Sequence, residues 1–213
     1  MHQRLLCLVT ILALAAISGC GDDTITSPPE PEVVPDFPNG VGNQWVYAHY
    51  DSLTEEEDTV RVSITRLKTL DNGEPAKVWR CVFDGGRVDT HYVSQVGDTI
   101  KMYWGDSTEP SGAGIMTLLF PMDSGKVWTN GSDIYDSTTI VDQISLSVPA
   151  GWFPTAYHLE RERSVPGYVQ RSTLQYIPEI GIGWMYLYGS PVMPGPPEVN
   201  ETWVLVDYTF PDT

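Results

Sequence analysis

Cysteine is scarce in this chain, with three residues in 213: Cys7, Cys20 and Cys81. Only Cys81 lies beyond residue 20, so no internal disulfide framework can be built from it. Basic residues are few as well, 12 against 28 acidic ones, for a net charge of −16. Such a surface repels nucleic acid phosphates and anionic lipid headgroups, which excludes both as partners. Histidine is sparse, and beyond His2 there are only His49, His91 and His158. None stands at a known metal-ligand spacing from another His, Cys or carboxylate. His158-Leu159-Glu160 places two ligand types on one strand face, and reads as a surface pair rather than a metal site. A nucleophile elbow Gly-x-Ser-x-Gly and a phosphate-binding glycine loop are both missing. Carboxylates are too many for a glycosidase-like pair to stand out. The expectation is a non-enzymatic protein with no catalytic, cofactor-binding or metal-ligating residue.

Long apolar runs are also missing, apart from Leu5 to Ile17. That run is about 13 residues, or roughly 20 Å as a helix, short of a bilayer span. Arg4 precedes it and small residues follow, the pattern of an export signal. Its end, Ile17-Ser18-Gly19-Cys20, resembles the lipobox of bacterial lipoproteins. The resemblance implies that the Cys20 thiol accepts diacylglycerol, that the chain is cut before Cys20, and that the new amine is acylated. Gly21 stands where Asp would favour inner-membrane retention, which leans the placement toward the outer membrane. Asp22-Asp23 is similar to a surface-export signal of some bacterial groups. The expected organisation is a signal peptide over 1–19, a lipidated Cys20 with its tether over 20–36, and one β domain over 37–213. The tether, GDDTITSPPEPEVVPD, holds four prolines and five acids. As an extended polyproline-like chain it reaches roughly 50 Å.

No stretch carries the sustained 3.6-residue apolar period of a long helix. Turn residues and aromatics are plentiful instead, with 19 Gly, 17 Pro and 11% aromatics. TVRVSIT alternates Val60, Val62 and Ile64 onto one face. Asn72-Gly73 marks a hairpin turn, followed by AKVWRCVF, Asp84-Gly85-Gly86, RVDTHYVSQV, Gly97-Asp98 and TIKMYW. Those four runs predict an up-and-down meander. IYDSTTIVDQISLSV, TAYHLERERS, YVQRSTLQYI, WMYLYG and TWVLVDYTF continue the habit, for about eleven strands in all. SGAGIMTLLF fits one helical turn or a short strand. Glu55-Glu56-Glu57-Asp58 lacks the spacing of a Ca²⁺ loop and reads as a solvated loop. Cys81 alternates onto the face of Trp79 and Phe83 and reads as a core thiol. The fold class is all-β: a mainly antiparallel meander curved into an open half-barrel or a sandwich.

One pattern is written twice. FPNGVGNQW and FPMDSGKVW both fit Phe-Pro-x3-Gly-x2-Trp, and IPEIGIGW is a looser third copy. Pro fixes φ at the start of a strand, Gly permits a tight reversal, and Trp enters the strand to be buried. Duplication of an ancestral unit and independent use of one turn both account for the repeat. Trp45 and Trp128 read as core residues, with exposed sugar-stacking platforms as the alternative. FPNGVGNQWVY, LLFPMDSGKVW, SVPAGWFPTAYHLER and YIPEIGIGW together resemble uncharacterised bacterial secreted proteins and lipoproteins. They are also similar to the half-barrel of periplasmic lipoprotein carriers, in which a curved sheet wraps a hydrophobic cavity. Those relatives bring no activity with them, and the function expected is that of an envelope protein whose β domain binds, or serves as a scaffold for, a hydrophobic ligand, a glycan or an envelope protein without catalysis. The alternative is a carrier of lipid or lipoprotein. Its membrane contact is made through acyl chains on Cys20.

Overall fold

The structure, a computed structural model, describes residues 37–104, 116–130, 135–192 and 195–211. Twelve strands occupy them: β1 (Gln44–Asp51), β2 (Glu56–Thr69), β3 (Pro75–Phe83), β4 (Val88–Val96), β5 (Thr99–Trp104), β6 (Met116–Leu119), β7 (Val127–Thr129), β8 (Tyr135–Val148), β9 (Gly151–Val165), β10 (Tyr168–Ile177), β11 (Gly181–Pro191) and β12 (Val199–Thr209). Among the described residues there is no helix. All pairings are antiparallel, in one sheet ordered β6-β5-β4-β3-β2-β1-β12-β11-β10-β9-β8-β7. The sheet is a nearly closed barrel. Its edges, β6 and β7, meet through side chains rather than a ladder. The Trp128 indole donates to the Thr117 carbonyl at 3.0 Å, and Lys126 Nζ donates to the Pro121 carbonyl at 2.7 Å. Short edges held this way present little backbone to another chain.

The order separates into two six-stranded meanders, β1–β6 and β7–β12, joined where β1 pairs with β12. Each meander is headed by one copy of the repeated motif, and the copies are wired alike. Gly42 N donates to Ile64 O (2.9 Å), Ile64 N to Asn43 O (3.0 Å) and Asn43 N to Gly40 O (3.1 Å). In the second copy Gly125 N donates to Ile140 O (2.7 Å), Ile140 N to Lys126 O (2.9 Å) and Lys126 N to Asp123 O (3.0 Å). Both glycines are left-handed, at φ 98° and 83°. The paired strands β2 and β8 each run 14 residues and shift register just after Ile64 and Ile140 respectively. Trp45 opposes Val62 as Trp128 opposes Thr138. The motif is a strand-initiating turn used at equivalent places in two like halves.

The motif residues plug one end of the barrel. Trp45 and Trp128 are 1% and 7% exposed, which removes the sugar-platform alternative for both. Phe37 stacks on Trp79 at 5.7 Å and on Tyr176 at 6.1 Å, while Phe120 meets Tyr176 edge-on at 5.5 Å. Trp45 stacks on Trp79 at 4.8 Å and donates its indole N–H to Ile180 O at 2.7 Å. Asn39 Oδ1 accepts the Trp79 indole at 2.9 Å. Buried aromatic pairs of this kind contribute about 0.5–1.5 kcal/mol each beyond their area. The looser third copy behaves differently: Trp184 leaves the core and stacks with Tyr186 at 6.5 Å. One residue fewer between Pro and Gly changes the phase, and in a strand one step exchanges faces.

One further sequence expectation changes and one open choice is decided. Glu56, Glu57 and Asp58 are the solvent-side start of β2 rather than a loop, because their backbone pairs with Asp51, Tyr50 and His49. SGAGIMTLLF supplies strand β6 at Met116–Leu119, the short-strand option.

Candidate functional site

Away from the plugged end the barrel is hollow. A cavity of about 430 Å³ lies inside the sheet, within the usual range for small-molecule sites. One wall is apolar and soft: Val62, Trp79 and Cys81 from β2 and β3, with Met102 and Met116 from β5 and β6. Ile182, Met185 and Leu187 from β11, with Trp203 from β12, continue it. Unbranched methionines adapt to irregular apolar shapes.

The facing wall, on β9 and β10, is polar. Register explains how. Ile140, Leu159 and Leu174 form one apolar row across β8, β9 and β10. Two residues further along β9 the row becomes Thr138, Arg161 and Ser172, and two further still Asp136, Arg163 and Gln170. Arg161 and Asp136 are each 5% exposed and joined by two bonds, Nε to Oδ1 at 2.7 Å and Nη2 to Oδ2 at 2.5 Å. Removing two charges from water is costly, and a bidentate fork offsets part of that cost. Burial pushes the Arg163 pKa down, and the Arg161 charge adds to the push, while Asp136 opposes both. Arg161, Gln170 and Ser172 line the cavity.

The rim carries a second polar group. Glu201 Oε2 lies 3.3 Å from His49 Nε2 and accepts the Trp203 indole at 3.2 Å. The His49 imidazole beside it outweighs burial and holds the Glu201 carboxyl below its usual range. The His49 ring sits between Phe83 (5.6 Å) and Trp203 (4.9 Å). Arg87 caps Phe83 with its guanidinium 3.6 Å from the ring centre and pairs with Asp89 at 3.2 Å. Burial pushes His91 down to about 4, against the pull of Asp89. Burial pushes the Cys81 thiol up to about 12, with Asp89 adding to it. A thiol so protonated is a poor nucleophile. Cys81 is thus the buried thiol its alternation with Trp79 and Phe83 predicts, set in the cavity wall.

Cys20, the predicted lipidation site, and Asp22-Asp23 lie outside the described residues. His158 faces outward, with Nδ1 3.2 Å from Asp142 and Nε2 3.9 Å from Glu160. Among the described residues no three His, Cys, Asp or Glu side chains gather as a metal site. Sequence reasoning passed over Arg161 and Ser172. A signal existed: in TAYHLERERS, Arg161 and Arg163 fall in phase with the core residue Leu159, not with Glu160 and Glu162.

No family model matches the chain, and no curated protein does. A solved chain from Parabacteroides distasonis ATCC 8503, described as a candidate lipoprotein, aligns over 81% of this chain and 97% of its own, at 14% identity and TM-score 0.45. A chain from Bacteroides fragilis NCTC 9343, described as a candidate exported protein, aligns over 83% of this chain and 100% of its own, at 16% identity and TM-score 0.50. That second likeness extends to the fold alone, so the barrel is similar to the YmcC-like fold by which the Bacteroides fragilis chain is described.

Proposed function

We propose that this is an envelope lipoprotein, held at the outer membrane by acyl chains on Cys20, whose barrel binds a hydrophobic or amphiphilic ligand without catalysis. One observation carries the ligand reading: the cavity of about 430 Å³, apolar over most of its wall and enclosed by ten strands, from β1 to β6 and from β9 to β12. A filled interior would have favoured a scaffold. The hollow one favours uptake, and with it the carriage of a lipid-like molecule. Lipobox and apolar signal support the anchoring, and the exported description of the Bacteroides fragilis protein of like fold agrees with it.

The test is fluorescence titration of the mature protein with N-phenyl-1-naphthylamine, a neutral apolar dye. Saturable binding is expected, with energy transfer from Trp79 and Trp203 in the wall. Leu187→Trp, which fills the cavity from β11, should weaken binding at least tenfold. Failure of the dye to bind, or equal binding by the filled variant, overturns the reading.

A further inference from the structure

The charged groups of the cavity are closed on the protein itself. Asp89 pairs with Arg87 at 3.2 Å, and Glu201 lies against His49 and accepts the Trp203 indole. Arg161 forks onto Asp136, behind the wall, and makes further contacts besides. A charged head would enter without a free counter-ion, and a charge taken out of water unpaired is strongly disfavoured. The neutral polar groups of β10 are open instead. Ser172, only 5% exposed and on the cavity wall, has a hydroxyl with no hydrogen-bond partner among the described residues. Gln170, two residues away on the same face, also lines the cavity, and its side-chain amide has no such partner either. Tyr168 follows two residues nearer the rim. Gly189 stands opposite Gln170, and a Cβ there would collide with Tyr168 Oη, so the missing side chain lets the phenol lie against the wall beside the amide. Burial holds the Tyr168 pKa above its usual value, with Glu198 adding to it, so the phenol stays protonated. Ser172, Gln170 and Tyr168 thus form an uncharged row in which each group can both donate and accept.

Resting on the ligand-binding reading above, we infer that the ligand is an uncharged single-chain lipid with a hydroxyl head, the head received by Ser172 and Gln170 with Tyr168 beside them, and the tail lying among Met102, Met116 and Met185. A hydroxyl donates and accepts, as each member of the row does. The cavity, at about 430 Å³, stands near the small end of the range for ligand sites, which suits one chain, and methionines mould to a flexible one. A carboxylate head would have to displace Asp136 or Asp89 from its arginine. An ammonium head would have to draw Glu201 from His49 and Trp203. A purely apolar chain would leave the hydroxyl of Ser172 unmatched.

The experiment competes the bound naphthylamine dye with dodecanol, its methyl ether, dodecanoate and dodecyltrimethylammonium, four heads on one tail. Dodecanol is expected to displace the dye at least tenfold more effectively than either charged compound. It is also expected to beat the methyl ether several-fold, although the ether is the more apolar of the two. Ser172→Ala alone is expected to cut the advantage over the ether, and Ser172→Ala with Gln170→Leu to abolish it while dye binding persists. Dodecanoate or the ammonium competing as well as dodecanol overturns the neutral-head inference and leaves the apolar cavity reading standing. The ether competing as well as dodecanol, or an advantage that survives both variants, overturns the hydroxyl assignment in the same way. If the dye itself does not bind, the cavity reading falls and this inference with it.

Discussion

At the scale of single residues, His91 makes the cavity sensitive to acid. In an unfolded chain its imidazole titrates near 6.5, whereas in the barrel burial holds it near 4. Between those values the unfolded chain binds a proton that the folded chain does not. Stability is therefore full above about pH 6.5 and is lost as pH falls toward 4, by no more than about 3 kcal/mol. His91→Gln should flatten the decline in melting temperature between pH 6.5 and 5. That window lies above the range where Glu201 and Glu74, both held below their usual values, begin to protonate. A decline of equal steepness in the variant would refute the assignment. His91 also shows what one residue's place in a sequence conceals. Its place in the strand RVDTHYVSQV was readable, but its shift arises from burial inside the closed sheet. Arg161 was half-legible in the same way: its phase pointed inward, and its partner Asp136 lies 25 residues earlier on β8.

At the scale of elements, the strand-initiating turn allows a sharper comparison. Gly42 and Gly125 hold the same left-handed position in the two motif copies. An L side chain there costs about 1–2 kcal/mol through its own backbone sterics. Gly125 has nothing within 4 Å of an added Cβ, so Gly125→Ala should show that cost alone. At Gly42 the added Cβ would sit 2.9 Å from Pro211 Cγ, a clash on top of the backbone strain. Gly42→Ala should therefore lower the urea midpoint more than Gly125→Ala does. Equal losses would mean that Pro211 moves aside freely. The turn chemistry was legible because Pro and Gly act locally. The four-run meander of β2–β5 was legible too, since period-two alternation and Asn-Gly are short-range signals. The start of β2 at Glu56 was not. Its charged residues carry no apolar alternation, and they are strand only because β1 pairs with them.

At the scale of the whole molecule, β1 and β12 are joined from opposite ends of the domain, and no local signal announces such a pairing. The sequence nonetheless wrote its consequence in the repeated motif, since each copy heads one of two like meanders. Phe37, the first described residue, is packed into the plugged end against Trp79 and Tyr176. The cavity rim, with Arg87 and Asp89, lies past Phe83 at the other end of β3. Cys20→Ala separates anchoring from binding. The variant is expected in the water-soluble fraction after cell lysis, whereas the parent pellets with membranes, and both should bind the naphthylamine dye with equal affinity. A variant that still pelleted completely with membranes would show that something other than acyl chains on Cys20 holds the protein there. A variant that was released but had lost dye binding would tie the cavity to the lipid, and the domain could no longer be treated as a barrel that works at the end of a passive leash.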